Sequence, residues 1–299
     1  MKKLPPTQII QRKLLNWFSK NRRDLPWRNL PAGRQGINDP YLIAVSEVML
    51  QQTQVDRVIP KFNAWRRAWP TTESLARAPL SEVLQMWSGL GYNSRAKRLR
   101  DAAIVVTEKF NGQWPRTIEE LESLPGFGPY TARAAASFSR NENVAVIDTN
   151  VRRVVGRIFF GLKKHSVQQL DTVVQKLLPK NRSAEWNATL MDFGSAICVG
   201  RRPKCEICPV QQYCVAYPKI LTYVPEKKTS VIKFKETDRY WRGEIVRQFL
   251  QQSPQSLITI RMTLKKMGMA DVPRISRLIK MLIQDGLIQQ TGKMIRIAK

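Results

Sequence analysis

The chain has 299 residues, with 50 Lys and Arg against 23 Asp and Glu, which gives a formal net charge of +27. Hydrophobic residues make up 43% of it, enough to build a buried core, so disorder along the whole chain is excluded. The basic residues are spread along the sequence instead of flanking an apolar span, which favours nucleic acid over a membrane surface as the polyanionic partner.

The N-terminal segment MKKLPPTQIIQRKLL is broken by prolines and charges before a signal-like apolar core can form, and no run approaches transmembrane length. We therefore expect a cytoplasmic protein without membrane contact, associated with the nucleoid when it is bound to DNA. The length predicts two domains.

From Thr7 to about Tyr217, apolar residues recur at three- and four-residue spacing, which predicts an all-α region. Pro and Gly separate the segments. The predicted helices cover residues 43–58, 80–87, 96–110, 131–139, 150–160 and 167–178. Residues 30–38, LPAGRQGIN, are rich in Gly and polar residues and predict an exposed loop.

The first of these helices carries Glu47 within SEVMLQQTQV, beside Val45, Val48, Met49 and Leu50. Desolvation favours the neutral form of a carboxyl group, which is the form that a proton donor needs near neutral pH. Glu47 is therefore a candidate general acid. The alternative is an exposed position on an amphipathic helix.

The segment LPGFGPYTA, residues 124–132, lies between two helical patterns, TIEELESL and TARAAASF. Its glycines, Gly126 and Gly128, let the backbone approach a ligand closely. Exposed amides beside a helix N-terminus can hold a phosphate without reading base sequence. The alternative is an ordinary turn between two helices.

Asp148 in VIDTNVRRV stands at the predicted N-cap of a helix, with basic residues beyond it. Helix amides and cations favour the ionised carboxylate. Cleavage of a glycosidic bond passes through an oxocarbenium-like state, which is served by one protonated acid and one carboxylate. Glu47 and Asp148 together have this division of labour, unless Asp148 is only a helix cap.

The four cysteines of the chain are separated by six, two and five residues: Cys198, Cys205, Cys208 and Cys214. Four thiolates so close together suit either zinc or an iron-sulfur cluster. Zinc sites usually offer two short pairs, whereas only Cys205 and Cys208 form a C-x-x-C, so the spacing favours iron-sulfur. Two local disulfides are the remaining alternative.

The composition changes after Pro218, where charged and extended-chain residues predict a linker over residues 218–238. Beyond it we predict helices at 240–251, 259–267 and 273–285, and then two strands turning at 291–293. This order resembles a winged helix, whose third helix would present Arg274, Arg277 and Lys280 to a DNA groove. A protein-contact module is the alternative.

Three motifs together resemble one family: SEVMLQQTQV, LPGFGPYTA and C-x6-C-x2-C-x5-C. They are similar to those of the A/G-specific adenine DNA glycosylases of the helix-hairpin-helix endonuclease III superfamily, over residues 7 to about 217. The resemblance implies an all-α, two-lobed glycosylase region over residues 1–217. It also implies one 4Fe-4S cluster held by the four cysteines in a loop at 198–214. Residues 239–299 would follow this region and the linker as the winged-helix-like domain.

The implied activity is base excision repair of double-stranded DNA, by hydrolysis of the N-glycosidic bond of adenine mispaired with 8-oxoguanine or guanine. By the resemblance, Glu47 protonates N7 of adenine, Asp148 stabilises the sugar cation or its covalent adduct, and Tyr130 supports both. Lyase-capable relatives carry a lysine where this chain has Tyr130, so a monofunctional glycosylase, acting as a monomer, is expected.

The resemblance also implies a set of DNA-contacting residues that follow from base flipping. Gln52 and Tyr92 match the wedge that fills the space left by the flipped base, and Thr53 accompanies them at the opposite base. Residues matching the lining or frame of the adenine pocket are Arg23, Leu25, Trp27, Arg28 and Asp192. Trp27 is equally well explained as a core residue.

Relatives usually append a domain similar to nucleotide-pyrophosphate hydrolases, which helps to recognise 8-oxoguanine, and we expect this chain to lack it. Recognition of the opposite base would then depend on Gln52, Thr53, Tyr92 and the hairpin. One alternative is a thymine or uracil glycosylase acting on G mismatches, whose relatives tend to lack the glutamate. The other is a non-catalytic DNA-binding regulator that uses the cluster as a redox sensor.

Overall fold

The computed structural model describes residues 6–29, 38–223 and 233–298, so the predicted loop at 30–38 lies outside the described residues except for Asn38. The chain is mainly helical, as predicted, and divides into two compact units that interleave along the sequence. None of the helices in these ranges has the length and apolarity needed to cross a bilayer.

Unit 1 consists of Met1–Ala44, Arg116–Glu122 and Phe127–Lys227. Its helices are α1 (Thr7–Asn21), the first part of α2 (Pro40–Leu50), α7 (Ile118–Glu122), α8 (Pro129–Arg140), α9 (Thr149–Val155), α10 (Val167–Lys176) and α11 (Ser183–Ala196). The predicted helix at 150–160 is present, but its last part, Gly156–Phe160, is a π turn. Short 3-10 turns follow α11 at Cys205–Ile207, Gln211–Tyr213 and Lys219–Leu221.

The core of unit 1 forms where α1, α9, α10 and α11 meet, around the fully buried side chains of Leu14, Val154 and Trp186. Trp17 packs edge-on against Phe193 with 5.2 Å between the ring centroids. Three of the four cysteines pack against this core from its edge: Cys198, Cys208 and Cys214. The cysteine loop is therefore anchored on a well-packed base.

Unit 2 consists of Val45–Pro115, Ser123–Gly126 and Lys228–Lys299. Its first helices are the end of α2, α3 (Val55–Ala68), α4 (Thr72–Ala76), α5 (Leu80–Trp87) and α6 (Ser94–Lys109). Their core is built on tryptophans, with the ring of Trp65 4.7 Å from that of Trp69 and 5.7 Å from that of Trp87.

The prediction of one continuous helix over residues 43–58 is wrong. Helix α2 ends at Leu50 and α3 begins at Val55, and between them Gln52 adopts a left-handed φ of 53°. Such a conformation costs a residue with a side chain about 1–2 kcal/mol. It therefore needs support from tertiary contacts, which a local helical pattern does not reveal.

The C-terminal part of unit 2 has the helices and strands that the sequence predicts. They are α12 (Asp238–Gln251), β1 (Gln255–Ser256), α13 (Leu257–Lys266), α14 (Val272–Gln284), β2 (Ile288–Thr291) and β3 (Met294–Ile297). The antiparallel sheet has the order β1-β3-β2, with Gln290 opposite Ile295, and the two-residue strand β1 was not predicted. Helix α12 packs against α5, so this segment is part of unit 2.

Two of the three basic residues proposed for groove contact are engaged within the protein. Nε of Arg274 and Nη2 of Arg277 each lie 2.8 Å from a carboxylate oxygen of Asp238, at the start of α12. Lys280 is exposed on the same helix. The pairing ties α14 to the first turn of α12. The winged-helix resemblance and the domain limits proposed from the sequence remain predictions.

Candidate functional site

The side chain of Glu47 is buried in α2. The residue is 6% exposed, and Val45, Val48 and Met49 around it in the sequence are also buried. This excludes the alternative of an exposed position on an amphipathic helix. Burial by itself penalises the charged form of a carboxyl group, which is the direction that the proposed role of proton donor needs.

The residues proposed for the wedge, Gln52 and Tyr92, lie with Thr53 in two turns that the structure brings together. Gln52 and Thr53 occupy the turn after α2, and Tyr92 occupies the turn between α5 and α6 with a left-handed φ of 49°. The Thr53 hydroxyl lies 3.1 Å from the Gln51 carbonyl and 3.4 Å from the Leu90 carbonyl, so the two turns are in contact. The indole of Trp87 supports the second turn by donating to the Gly91 carbonyl at 3.0 Å.

Arg95 holds these two turns in place, and the sequence analysis missed it. Its Nη1 donates to the Val48 carbonyl at 2.6 Å, and its Nη2 donates to the Leu90 and Gly91 carbonyls at 3.0 Å each and to the Thr53 hydroxyl at 3.3 Å. Burial, together with a nearby positive charge, lowers the pKa of Arg95 to about 10. A cation in the first turn of a helix is unfavourable because it opposes the helix dipole. An arginine at this position is therefore a signal in the sequence that its side chain has another role.

The glycine-containing hairpin follows α7, and its two glycines have different conformations. Gly126 has a φ of +81°, and a Cβ at this position would lie 2.8 Å from Cβ of Arg98, so no side chain fits there. Gly128 is extended, with a φ of −97°, and forms the N-cap of α8. Both glycines are exposed, and Tyr130 is half-buried in the first turn of α8. Of the two hairpin glycines, only Gly126 occupies a position that requires glycine.

Asp148 caps α9 as predicted. One carboxylate oxygen accepts from the Val151 amide at 2.7 Å, and the other accepts from Nδ2 of Asn150 at 2.7 Å. Oδ1 of Asn150 accepts from Nη2 of Arg153 at 2.7 Å, and Nε of Arg153 donates to the Cys198 carbonyl at 2.7 Å. Hydrogen bonds therefore connect the Asp148 carboxylate with the start of the cysteine loop.

Asp192 and its two arginine partners form a cluster in unit 1. Asp192 is 1% exposed; Nε of Arg23 lies 2.6 Å from its Oδ1, and Nη1 of Arg28 lies 2.6 Å from its Oδ2. Burial alone would raise the pKa of Asp192. Hydrogen bonds and charge from Arg28, and then from Arg23, outweigh burial and hold the pKa below its ordinary value. Leu25 and Trp27, between the two arginines in sequence, are buried.

All four cysteines are free thiols, which rules out local disulfides. They line one cavity together with apolar side chains, among them Ile158, Phe193, Ile197, Val210, Ala216 and Ile220. Nη1 of Arg157, also missed by the sequence analysis, lies 3.5 Å from Sγ of Cys198 and donates to the Val199 carbonyl at 2.7 Å.

The thiol chemistry fits an iron-sulfur group. Burial raises the pKa of Cys208 to about 12 and also raises the pKa values of Cys205 and Cys214, so metal binding would have to displace their protons. Four cysteine side chains that line one cavity are the donor set that an iron-sulfur cluster takes.

The predicted site residues divide between the two units. Unit 1 contains Asp148, Tyr130, Gly128, the Asp192 cluster and the cysteines, whereas unit 2 contains Glu47, Gln52, Thr53, Tyr92 and Gly126. The pairing of Glu47 with Asp148 across one substrate therefore remains a prediction, as do the catalytic roles of both.

Two family models match the chain. Residues 45–180 match the HhH-GPD superfamily of base excision DNA repair proteins, and residues 198–214 match the iron-sulfur binding domain of endonuclease III. The first match includes Glu47, the hairpin and Asp148. The second begins and ends at the first and last cysteines of the loop.

Individual relatives agree with these matches. The chain is 38% identical to the adenine DNA glycosylase of Mycolicibacterium smegmatis, over 94% of this chain and 92% of that protein. It is 44% identical to the adenine DNA glycosylase of Mus musculus over 69% of this chain, but covers only 41% of that protein. A solved thermostable thymine-DNA glycosylase is similar in structure, with a TM-score of 0.65 and 29% identity, over 71% of this chain and 97% of that chain.

Proposed function

The chain belongs to the adenine DNA glycosylases of the HhH-GPD superfamily, and from this premise we propose that it removes adenine mispaired with 8-oxoguanine or guanine in double-stranded DNA. It would act as a monomer and would hydrolyse the N-glycosidic bond without cutting the strand. The observation that carries the proposal is the burial of Glu47, because a desolvated carboxyl group is suited to protonate a purine leaving group.

In the proposed reaction, Glu47 donates its proton to N7 of adenine, which lets the base leave as a neutral molecule when the bond from C1′ to N9 breaks. The sugar is left with positive charge, and the carboxylate of Asp148 stabilises it. Water then adds to C1′ and gives its proton to the ionised Glu47 carboxylate, which restores the acid. Both carboxylate oxygens of Asp148 are already held by hydrogen bonds, which reduces reorganisation during the reaction.

DNA would be held by sequence-independent and base-dependent contacts. The exposed hairpin glycines, Gly126 and Gly128, offer backbone amides to a phosphate, as helix N-termini commonly do. Gln52 and Tyr92 would form the wedge that replaces the flipped nucleotide, and Thr53 would lie beside them at the opposite base. Arg95 joins the turns that carry these residues. The high positive charge of the chain supports this partner.

A panel of three duplexes tests the activity against its competitors. The purified chain is incubated with adenine opposite 8-oxoguanine, adenine opposite guanine, or thymine opposite guanine, and abasic sites are revealed by alkaline strand scission. We expect cleavage of the two adenine duplexes alone. Release of thymine would favour the mismatch thymine glycosylase, and intact strands in every case would favour the non-catalytic regulator.

We further propose that the iron-sulfur group is one 4Fe-4S cluster held by Cys198, Cys205, Cys208 and Cys214. When bound, it would cross-link the loop that these cysteines delimit. Anaerobic purification should yield a brown protein with visible charge-transfer absorption and about four iron atoms and four labile sulfides per chain. A colourless preparation loaded with zinc would contradict the assignment.

A further inference from the structure

The first turn of α12 places Arg239 on the side chain of Tyr92. Cζ of Arg239 lies 3.9 Å from the centroid of the Tyr92 ring, and its Nη1 donates to the Tyr92 hydroxyl at 3.2 Å. The ring of Phe234 lies 5.6 Å from the same Cζ. All three residues belong to unit 2. One guanidinium therefore contacts both the face and the hydroxyl of a tyrosine that is 147 positions away in the sequence.

The backbone before Tyr92 passes close to Arg239. Gly91 has a φ of +75°, a conformation that favours glycine, and a Cβ at this position would lie 2.9 Å from Nη2 of Arg239. A side chain at position 91 would therefore shift the end of the guanidinium. Tyr92 itself is 39% exposed, so the contact leaves part of its surface accessible to a partner.

The position of Arg239 is fixed from the other side by its neighbour Asp238. Both arginines of α14 bind the Asp238 carboxylate, Arg274 through Nε and Arg277 through Nη2, at 2.8 Å each. Thr237 caps the same turn by accepting from a backbone amide at 3.3 Å. Helix α14 thus fixes the start of α12, and the start of α12 carries Arg239 to Tyr92.

The charges around Tyr92 point to an anionic partner. Cζ of Arg95 lies 5.7 Å from the centroid of the same ring, so two cations approach one tyrosine. Among the residues described by the structure, neither Arg95 nor Arg239 is ion-paired with a carboxylate. Like charges this close repel each other, and the phosphates of bound DNA would relieve the repulsion.

We propose that Arg239 is a positioning residue that holds Tyr92 in place for insertion beside the base opposite the excised adenine. The inference rests on the proposed function, because only a DNA-binding role gives Tyr92 a place to insert. A side chain that is already ordered loses less conformational freedom when the complex forms, so the contact strengthens mispair binding. The segment after residue 228 would therefore take part in mispair recognition. Its contribution would be made by α12 and not by α14.

The test compares Arg239→Met with the control Lys266→Met, which removes one positive charge from an exposed residue of α13. Both are made in a Glu47→Gln background so that substrate is not consumed, and fluorescence anisotropy measures Kd. We expect Arg239→Met to weaken binding to adenine opposite 8-oxoguanine by about tenfold, as expected for loss of a cation-aromatic contact with its ordering effect. Binding to a fully paired duplex should weaken no more than in Lys266→Met.

A double-mutant cycle separates positioning from simple loss of charge. In a Tyr92→Leu background, Arg239→Met should add little, and Arg239→Lys on its own should restore part of the mispair binding. Additive effects of the two substitutions, equal effects of Arg239→Met and Lys266→Met, or tighter mispair binding by Arg239→Met would each overturn the inference. Melting curves verify that every variant is folded.

This experiment distinguishes failure of the inference from failure of the proposed function. If the enzyme with its native Glu47 releases adenine and the cycle is additive, only the role of Arg239 is lost. If it releases no base from any duplex, the proposed function fails, and the role of Arg239 in mispair recognition fails with it.

Discussion

Glu47→Gln should abolish adenine release while leaving DNA binding nearly intact. Glutamine keeps the size and the hydrogen-bonding capacity of the side chain in its buried position but has no proton to give to adenine. General acid catalysis contributes about 10²- to 10⁴-fold, so we expect a single-turnover rate at least about a hundredfold below that of the unmodified chain. The measurement is the time course of alkali-labile sites in a duplex with adenine opposite 8-oxoguanine.

Glu244→Gln is a suitable control for this substitution. Glu244 is 4% exposed, close to the 6% of Glu47, and it also lies in unit 2, where it pairs with Arg247. The control should retain the normal rate, which would show that removal of a buried carboxyl group is not itself inactivating. A Glu47→Gln enzyme that works at the normal rate would remove Glu47 from the mechanism.

Asp192→Asn should destabilise the fold more than any other single charge removal that we propose. The neutral amide keeps the shape of the side chain but leaves Arg23 and Arg28 without their shared counter-ion. Removal of one partner from a buried ion pair typically costs about 3–5 kcal/mol. Arg23 is partly exposed, with 36% of its side-chain surface accessible, so we expect the lower end of this range. The free energy of unfolding, measured in urea, should fall by about 3 kcal/mol.

Asp171→Asn is the matched control, because its pair with Arg133 is exposed, with side chains 47% and 39% accessible. The free energy of unfolding of Asp171→Asn should fall by at most about 1 kcal/mol, as is usual for surface pairs. Similar losses for the two variants would show that burial of Asp192 does not determine its contribution.

The pH dependence of the Asp192 contribution follows from the direction of its pKa shift. Because the folded-state pKa lies below the unfolded value, ionisation of Asp192 stabilises the fold above the unfolded pKa of about 3.9. This stabilisation disappears as the pH falls through the folded-state value. The difference in stability between the unmodified chain and Asp192→Asn should therefore be constant near neutral pH and shrink in acid below about pH 4.

Local signals in the sequence predicted the elements whose stability is itself local. The apolar spacing predicted α5 with its observed bounds, and a carboxylate before TNVRRVV predicted the cap made by Asp148. The cysteine spacing predicted a loop whose thiols share a cavity. The helix and the cap depend on neighbours within one or two helical turns, and the cysteine spacing lies within one 17-residue segment, so each leaves a pattern in the sequence.

Features that depend on distant residues could not be predicted in this way. The segment QQTQ has no helix breaker, and the chain leaves the helix at Gln52 in a turn braced by Arg95, 42 positions beyond Thr53. The contact of Arg239 with Tyr92 spans a still longer separation and joins elements predicted to lie in different domains. In each case a guanidinium forms several tertiary contacts that no periodicity encodes.

The two ion pairs of Asp238 also bear on how DNA binding should respond to salt. Each phosphate neutralised by a lysine or arginine releases condensed counter-ions, and the slope of log K against log salt reports how many are released. Arg274 and Arg277 already have a carboxylate partner, so α14 should add less to that slope than its basic residues suggest. The salt dependence of DNA binding would then reflect only part of the formal +27 charge.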